Sequence, residues 1–426
     1  MQTLELYKLF LSSTGVTTDT RNIQKGNLFF ALKGGNFNGN QFAEKAIELG
    51  AMACIVDEKP FENKDKSCFL TAETSALVAL QELAKHHRSQ LKIPIIGLTG
   101  SNGKTTTKEL INAVLSQKFD TLYTYGNLNN HIGVPLTLLS IKPNHELAIV
   151  EMGANHQKEI EFLSELSQPD IGYITNFGKA HLEGFGGVLG VIAGKSELYQ
   201  NLRKNGKTAL INLDDPIQVE KANGINAISF GASNKPFPSL IENPNNTISV
   251  LYKETEIHAN LSGDYNFTNI CAAITLGEHF GLNLAQIKKG IESYIPQNNR
   301  SQISTYKGYT LLLDAYNANP SSMALSLENF AKYKESKTVI LGDMFELGES
   351  SQEEHQTIFE QAKKLGFDQI LLVGEHFSSL KDQKGGEFFA KKEDLVQFLK
   401  QNPINSKNIL IKGSRGMALE TLMESL

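Results

Sequence analysis

The chain has 426 residues, a net charge of −5 and a pI near 6.1, which leaves room for roughly two to four domains with sizeable cores. The acidic balance, with no run of five Lys or Arg, argues against a nucleic-acid partner, and no apolar run approaches the ~20 residues of a membrane span. The three cysteines, Cys54, Cys68 and Cys271, stand in no metal or redox spacing, and so sparse and odd a count suits a reducing cytoplasm. The opening "MQTLELYKLF" lacks the basic start and long apolar core of a signal peptide. Residues 1–91 read as a small α/β domain. "NLFFAL" and "ACIVD" are strand-like, "KGGNFNGNQF" is a Gly/Asn loop, and "FAEKAIELG" is a helix closed by Gly50. A longer helix, "AETSALVALQELAKHHRSQL", leads out.

Residues 92–298 alternate strand and helix. "IPIIGLT", "ELAIVEMG", "DIGYITN" and "KTALINLDD" are the strands, a pattern that predicts a mostly parallel sheet with helices on its faces. "TISVLYKETEIHANL" predicts a hairpin turning near Glu254. Two helices follow, "YNFTNICAAITLGEHFG", ended by Gly281, and "LAQIKKGIESY". "IPQNNRSQ" (295–302) reads as a linker. Residues 299–426 restart the α/β pattern with "TLLLDAY", "TVILGD", "QILLVG" and "NILIKGS". Pro320 opens one helix, and Ser351 with Glu353 and Glu354 another. This is a Rossmann-like unit without the G-x-G-x-x-G fingerprint. The expected fold is therefore α/β in three domains, the central one like a P-loop NTPase.

The reason for that last comparison is "LTGSNGKTTTKEL" at 98–110, a strand, a glycine loop and a helix start. Free backbone N–H groups at a helix start bind anions well. The loop Gly100-Ser101-Asn102-Gly103-Lys104-Thr105 is tighter than G-x-x-x-x-G-K-[ST], because Leu98 stands where the first glycine would. Gly100 and Gly103 let phosphate come close, Lys104 reaches the terminal phosphates, and the Thr105 hydroxyl holds Mg²⁺, with Thr106 beside it.

Ligands of open α/β sheets bind at the carboxyl ends of the strands. Glu151 ends one strand and is a candidate for Mg²⁺, directly or through water. Asn176 ends the next. His181, among glycines just beyond it, is either a structural histidine or, beside a cation site, a ligand. Lys195 reads as a solvated helix lysine. Asn266 and Asn269 either read adenine edges or cap the helix they begin. Arg300 could swing onto phosphate, and Asp314 could take a ribose hydroxyl. Asn317 and Asn319 precede Pro320 in an unusually polar turn, where Asn319 could serve simply as an N-cap.

Taken together these stretches resemble the Mur ligase family, nearly end to end. "TDTRNIQKGNLFFALKGGNFNGNQF", with Thr20 and Arg21, resembles the family's uridine-nucleotide domain. "GLTGSNGKTTTKE", "GNLNNHIGVPLTLL", "VEMGANHQKEI", "NFGKAHLEGFG" and "DAYNANPSSM" resemble successive family signatures. The resemblance implies an ATP- and Mg²⁺-dependent, amide-forming ligase. "DAYNANP" points to the member that joins D-alanyl-D-alanine to UDP-N-acetylmuramoyl-tripeptide. It further implies that Lys104 and Thr105 bind ATP and Mg²⁺, and that Glu151 and His181 hold a second Mg²⁺. Lys195 then matches a carbamylated lysine, and Asn266 and Asn269 match adenine-side asparagines. Arg300 and Asp314 match residues that reach ATP across the domain gap, and Asn127, Asn129 and Asn130 lie in a loop that meets substrate. Tyr265 stands where the family often has His, and "AGKSEL" replaces the more usual "AKGEI".

The activity expected is attack of the tripeptide carboxylate on the γ-phosphate of ATP, followed by capture of the acyl phosphate by the dipeptide amine. Because water would destroy that intermediate, the third domain is expected to close on the central one and carry Arg300 and Asp314 inward. The alternatives are another Mur-type or folylpolyglutamate-type amide ligase, or a P-loop nucleotide switch. A cytoplasmic monomer with no membrane insertion is expected.

Overall fold

The computed structural model describes residues 3–35, 37–58, 69–71, 74–241, 243, 246–297 and 299–426; Cys68 lies outside the described residues. Three stretches of alternating strand and helix each close a sheet of their own. The first sheet is all parallel, in the order Gly15–Thr17, Asn27–Phe30, Ala53–Val56, Phe69–Thr71. Its two inner strands are buried throughout, their runs apolar but for Asn27. Alternate residues face opposite ways: Leu28, Phe30 and Ile55 join one core, Phe29, Cys54 and Val56 another. The Gly/Asn loop contains a two-residue hairpin, Lys33–Gly34 with Phe37–Asn38. The opening residues, excluded only as a signal peptide by the sequence, form the helix Thr3–Ser12, with Leu6 and Phe10 buried.

The central sheet runs Asn226–Phe230, Thr208–Asn212, Ile171–Ile174, Ile95–Thr99, Leu147–Glu151, Thr121–Tyr123, all parallel. The two edge strands were not expected. Leu98 pairs with Glu151 on one side, and Thr99 pairs with Ile174 on the other. The loops leaving these three strand ends therefore meet at one point, where the chain's direction across the sheet reverses. The hairpin turns through Lys253 and Glu254, both left-handed, and Ser239–Ile241 extends it to three antiparallel strands.

The third sheet runs Gln302–Tyr306, Tyr309–Asp314, Asn408–Lys412, Lys337–Gly342, Gln369–Val373, Glu387–Phe389. Only the first pair is antiparallel. Among the described residues no helix is long and apolar enough to cross a membrane.

The exit helix of the first unit, Ala76–Gln90, meets the start of the central sheet through Arg88. Buried Arg88 donates to the Ser167 carbonyl at 2.9 Å, to the Gln168 carbonyl at 2.9 Å and to Asp170 at 3.0 Å. Asp170 also accepts from Ile95 N and from Lys207. Breaking a fully buried pair costs about 3–5 kcal/mol, but Lys207 would still neutralise Asp170. Arg88→Ala should therefore lower unfolding stability by about 2–3 kcal/mol in urea titration, and a loss below about 0.5 kcal/mol would show the anchor idle.

Candidate active site

After Thr99 the chain turns at Gly100, whose φ is +144°. A Cβ there would lie 1.9 Å from Thr175 Oγ1 and 2.9 Å from Thr175 N, so only glycine lets the loop pass the neighbouring strand end. The loop is tied to that strand end. Ser101 N donates to the Asn176 carbonyl at 3.0 Å and Asn102 N to Asn176 Oδ1 at 3.1 Å. The Asn102 carbonyl accepts from Thr175 Oγ1 at 2.6 Å and Asn176 Nδ2 at 3.0 Å. The helix Lys104–Leu115 follows left-handed Gly103 without a side-chain cap, leaving its first N–H groups directed at whatever the loop encloses.

Lys104 curls back, donating to the carbonyls of Gly100 at 2.8 Å and Ser101 at 3.3 Å. Burial pushes its ammonium pKa down, Arg300 adds to the fall, and Glu151 opposes it. An ammonium that holds only carbonyls is ready to trade them for phosphate oxygens. Thr107 Oγ1 donates to Asn269 Oδ1 at 2.9 Å, Asn269 donates to Asn266 Oδ1 at 2.9 Å, and Asn266 donates to the Ser262 carbonyl at 2.7 Å. Helix capping by Asn266, one of the two sequence expectations, is not what is found: the helix Phe267–His279 has no side-chain cap. The two amides brace the phosphate-loop helix instead.

Glu151 ends its strand fully buried. Oε1 accepts from Asn129 at 2.8 Å and Thr105 at 3.3 Å, while Oε2 has no hydrogen-bond partner. Lys108, buried without exposure, places Nζ 3.5 Å from Oε2. A buried carboxylate with a threonine hydroxyl on one oxygen and no hydrogen bond on the other fits a hard divalent cation, which keeps several waters and takes one or two carboxylates. Among the described residues no three His, Cys, Asp or Glu are gathered around a metal position, so phosphate and water would complete such a shell. Sequence reasoning gave Lys108 no role; its one signal was a lysine four positions after Lys104 on a helix face otherwise occupied by threonines and apolar residues.

Lys195 corrects the expectation of a solvated helix lysine. It lies within the helix Val188–Lys204 with no exposed surface, donating to the Ala154 carbonyl at 3.0 Å and resting 4.8 Å from the Phe185 ring centre. Burial, then the charge of Lys104, push its pKa well below the ordinary lysine value. His181 is left-handed at φ +53°, with Nδ1 bonded to Glu346 of the third unit. That bond holds the Glu346 carboxyl below its usual range.

The linker and third sheet close the other side. The Arg300 guanidinium lies 3.6 Å over the Tyr316 ring. Asp314 accepts from Ser301 N at 3.2 Å and from buried Lys412. Asn319 caps the helix Pro320–Ala331 reciprocally with Ser322 and also reaches Asn102 Oδ1 at 2.7 Å. Asn130 accepts from Ile132 N and Gly133 N at 3.0 and 2.9 Å, and Asn127 O from Asn129 N at 2.7 Å.

One cavity of about 1060 Å³ gathers these groups. It is lined by Ser101, Asn102, Gly103, Lys104, Thr105 and Thr106 of the loop, and by Asn127, Asn129, Asn130, Glu151 and His181. Asn266, Asn269, Arg300, Asp314, Asn317 and Asn319 complete the wall. Gly100 lies behind the loop, and Lys195 one carbonyl behind the wall at Ala154. Thr20 and Arg21 lie apart, on the turn Thr20–Asn22 of the first unit, where Arg21 pairs with Asp19.

Three family models match in series: "Mur ligase family, catalytic domain" over residues 12–88, "Mur ligase middle domain" over 98–277, and "Mur ligase, glutamate ligase domain" over 299–415. The UDP-N-acetylmuramoyl-tripeptide–D-alanyl-D-alanine ligase of Escherichia coli is 36% identical, over 99% of this chain and 95% of its own. The chain belongs to the Mur ligase family. Among solved structures, MurF from Acinetobacter baumannii superposes on this Mur ligase with a TM-score of 0.87 at 31% identity, covering 98% of this chain and 97% of that one. MurF from Thermotoga maritima, in complex with ADP, does so at 0.84 and 25%, with the same coverage. The three-domain α/β architecture and the ATP-dependent amide-forming class expected of the sequence both stand. Because a Cβ at Gly100 would displace the phosphate loop by about an ångström, Gly100→Ala should cut phosphate release from ATP by about 100-fold in steady-state assays. Near-normal turnover would mean that the loop's fit against Thr175 does not matter.

Proposed function

We propose that this Mur ligase uses ATP and Mg²⁺ to join D-alanyl-D-alanine to UDP-N-acetylmuramoyl-tripeptide, giving the UDP-muramoyl-pentapeptide precursor of peptidoglycan. The observation that carries the reading is the meeting, in one cavity, of the phosphate loop and the polar Asp314–Ser322 turn, joined through Asn102 and Asn319. The shared name of the E. coli relative supports the substrates, and the ADP held by the Thermotoga protein supports the nucleotide. Residues 1–91 bind the uridine nucleotide, with Thr20 and Arg21 as contacts. Residues 92–298 bind ATP, and residues 299–426 receive the dipeptide and shut the cavity. The protein acts as a cytoplasmic monomer.

The terminal carboxylate of the tripeptide attacks the γ-phosphorus. The bond to the bridging oxygen breaks, and ADP leaves an acyl phosphate. Lys104 releases its two carbonyls and follows the γ-phosphate, while loop N–H groups hold the oxygens. Arg300, with no ion pair among the described residues, is free to add its charge from the linker. The dipeptide amine, having lost a proton, then attacks the acyl carbon, and inorganic phosphate departs. Thr105 would hold one Mg²⁺, and Glu151 and His181, with a carbamylated Lys195, a second; bound there, the cations would supply positive charge against the phosphate oxygens. Burial favours the neutral Lys195 amine, the form that adds CO₂ and loses a proton, and the carbamate anion so formed would need a cation beside it. The third unit keeps water from the acyl phosphate.

Phosphate release should require ATP, the UDP-muramoyl-tripeptide and D-alanyl-D-alanine together. Equal release with glutamate or a diamino acid as acceptor would sink the substrate assignment. Lys104→Ala should lower that release by about 10³-fold or more while leaving sugar-nucleotide binding within about threefold by calorimetry. Lys195→Ala should be inactive and partly restored by short-chain carboxylates; wild-type activity without them would end the carbamate reading.

A further inference from the structure

We propose that Glu346 is a positioning residue for His181. From across the domain boundary, its carboxylate fixes the imidazole so that Nε2 is free to bind a divalent cation. The proposal rests on the reading of His181 as a cation ligand. A carboxylate can only accept here, so His181 Nδ1 carries the proton and donates it to Glu346 Oε2. In the neutral ring the lone pair then lies on Nε2, and His181 lines the cavity whereas Glu346 does not. A histidine that binds a metal commonly donates its other ring N–H to a carboxylate, which fixes both tautomer and ring orientation.

Two further observations set this contact apart from an ordinary surface pair. The Glu346 side chain is 52% exposed, and an ion pair so exposed adds little to stability. Yet both partners hold left-handed backbone, at φ +53° and +61°, a conformation that residues with side chains seldom adopt. Backbone of that kind persists where surrounding structure enforces it and a site needs it. The enforcement is visible. Met344 N donates to buried His355 at 3.0 Å and Phe345 N to Ser414 Oγ at 3.0 Å, so the residues leading into Glu346 are pinned within the third unit. On the far side, Glu183 N donates to the Glu346 carbonyl at 3.3 Å, and Lys179 N to Ser321 Oγ at 2.9 Å. The two turns thus face each other through backbone as well as side chain. Cation affinity at His181 and docking of the third unit are then linked, each favouring the other.

The test is direct titration of the full-length protein with Mn²⁺ alone, followed by electron paramagnetic resonance. His181→Ala should weaken Mn²⁺ binding, and Glu346→Gln should weaken it by about 10–100-fold. The double variant should bind no more weakly than His181→Ala, because Glu346 acts only through the imidazole. If Glu346→Gln binds within about twofold of wild type while His181→Ala is weakened, the role of Glu346 is refuted and the histidine keeps its own. An undiminished His181→Ala would instead remove the ligand reading on which the proposal stands. Additive losses in the double variant would assign Glu346 a general structural role and overturn the proposal.

Discussion

Asn102 is clasped from both sides of the cavity, and the rest of the site takes its shape from that clasp. Thr175 and Asn176 hold its backbone from the neighbouring strand end, and Asn319 holds its side chain from the third unit. The first set of bonds fixes where the phosphate loop sits relative to Glu151. The second fixes where the Asp314–Ser322 turn sits relative to the loop. The walls that the two units contribute are thereby held in one geometry, and fixed geometry is a large part of what an enzyme must supply to a condensation.

The buried charges are arranged for chemistry rather than for stability. Lys108 and Lys412 face Glu151 and Asp314, while Lys104 and Lys195 hydrogen-bond only to carbonyls. Removing an ion from water costs several kcal/mol even after relaxation, and a buried pair seldom recovers it all. Burial lowers the pKa of both lysines, and Lys104 lowers that of Lys195 further, so two such lysines without carboxylate hydrogen bonds are an unfavourable arrangement for a folded chain alone. Polyphosphate would offset the desolvation cost at Lys104, whereas carbamylation would turn Lys195 into an anion that faces a cation instead.

The first unit stands apart from this charge cluster. Its exit helix meets the central sheet through Arg88 at the opposite end of the strands from the phosphate loop, where Ile95 begins and Asp170 precedes the next strand. An anchor there fixes the spacing between the first sheet and the cavity without entering the chemistry. It suits a module that holds a long substrate at one end while the other end reacts.

The sequence by itself determined the elements and their class. Apolar runs such as "IPIIGLT" and "NILIKGS", separated by helix-length segments, leave no stable alternative to parallel sheets covered on both faces. Gly100, Gly103, Lys104 and Thr105 were legible because a phosphate loop is local: strand, turn and helix start are adjacent in the chain. Short edge strands such as Thr121–Tyr123 were not, since three residues carry too little pattern. Only the tertiary structure decided which way long-range side chains turn. It buried Lys195, which the residues alone read as a solvated helix lysine, and it made Asn266 and Asn269 a brace for the phosphate-loop helix instead of a cap. It also set Lys108 behind Glu151 and Glu346 against His181, partners 43 and 165 positions apart. Spacing along a chain carries no information about such pairs, because their proximity comes from how sheets stack and domains dock rather than from any local rule.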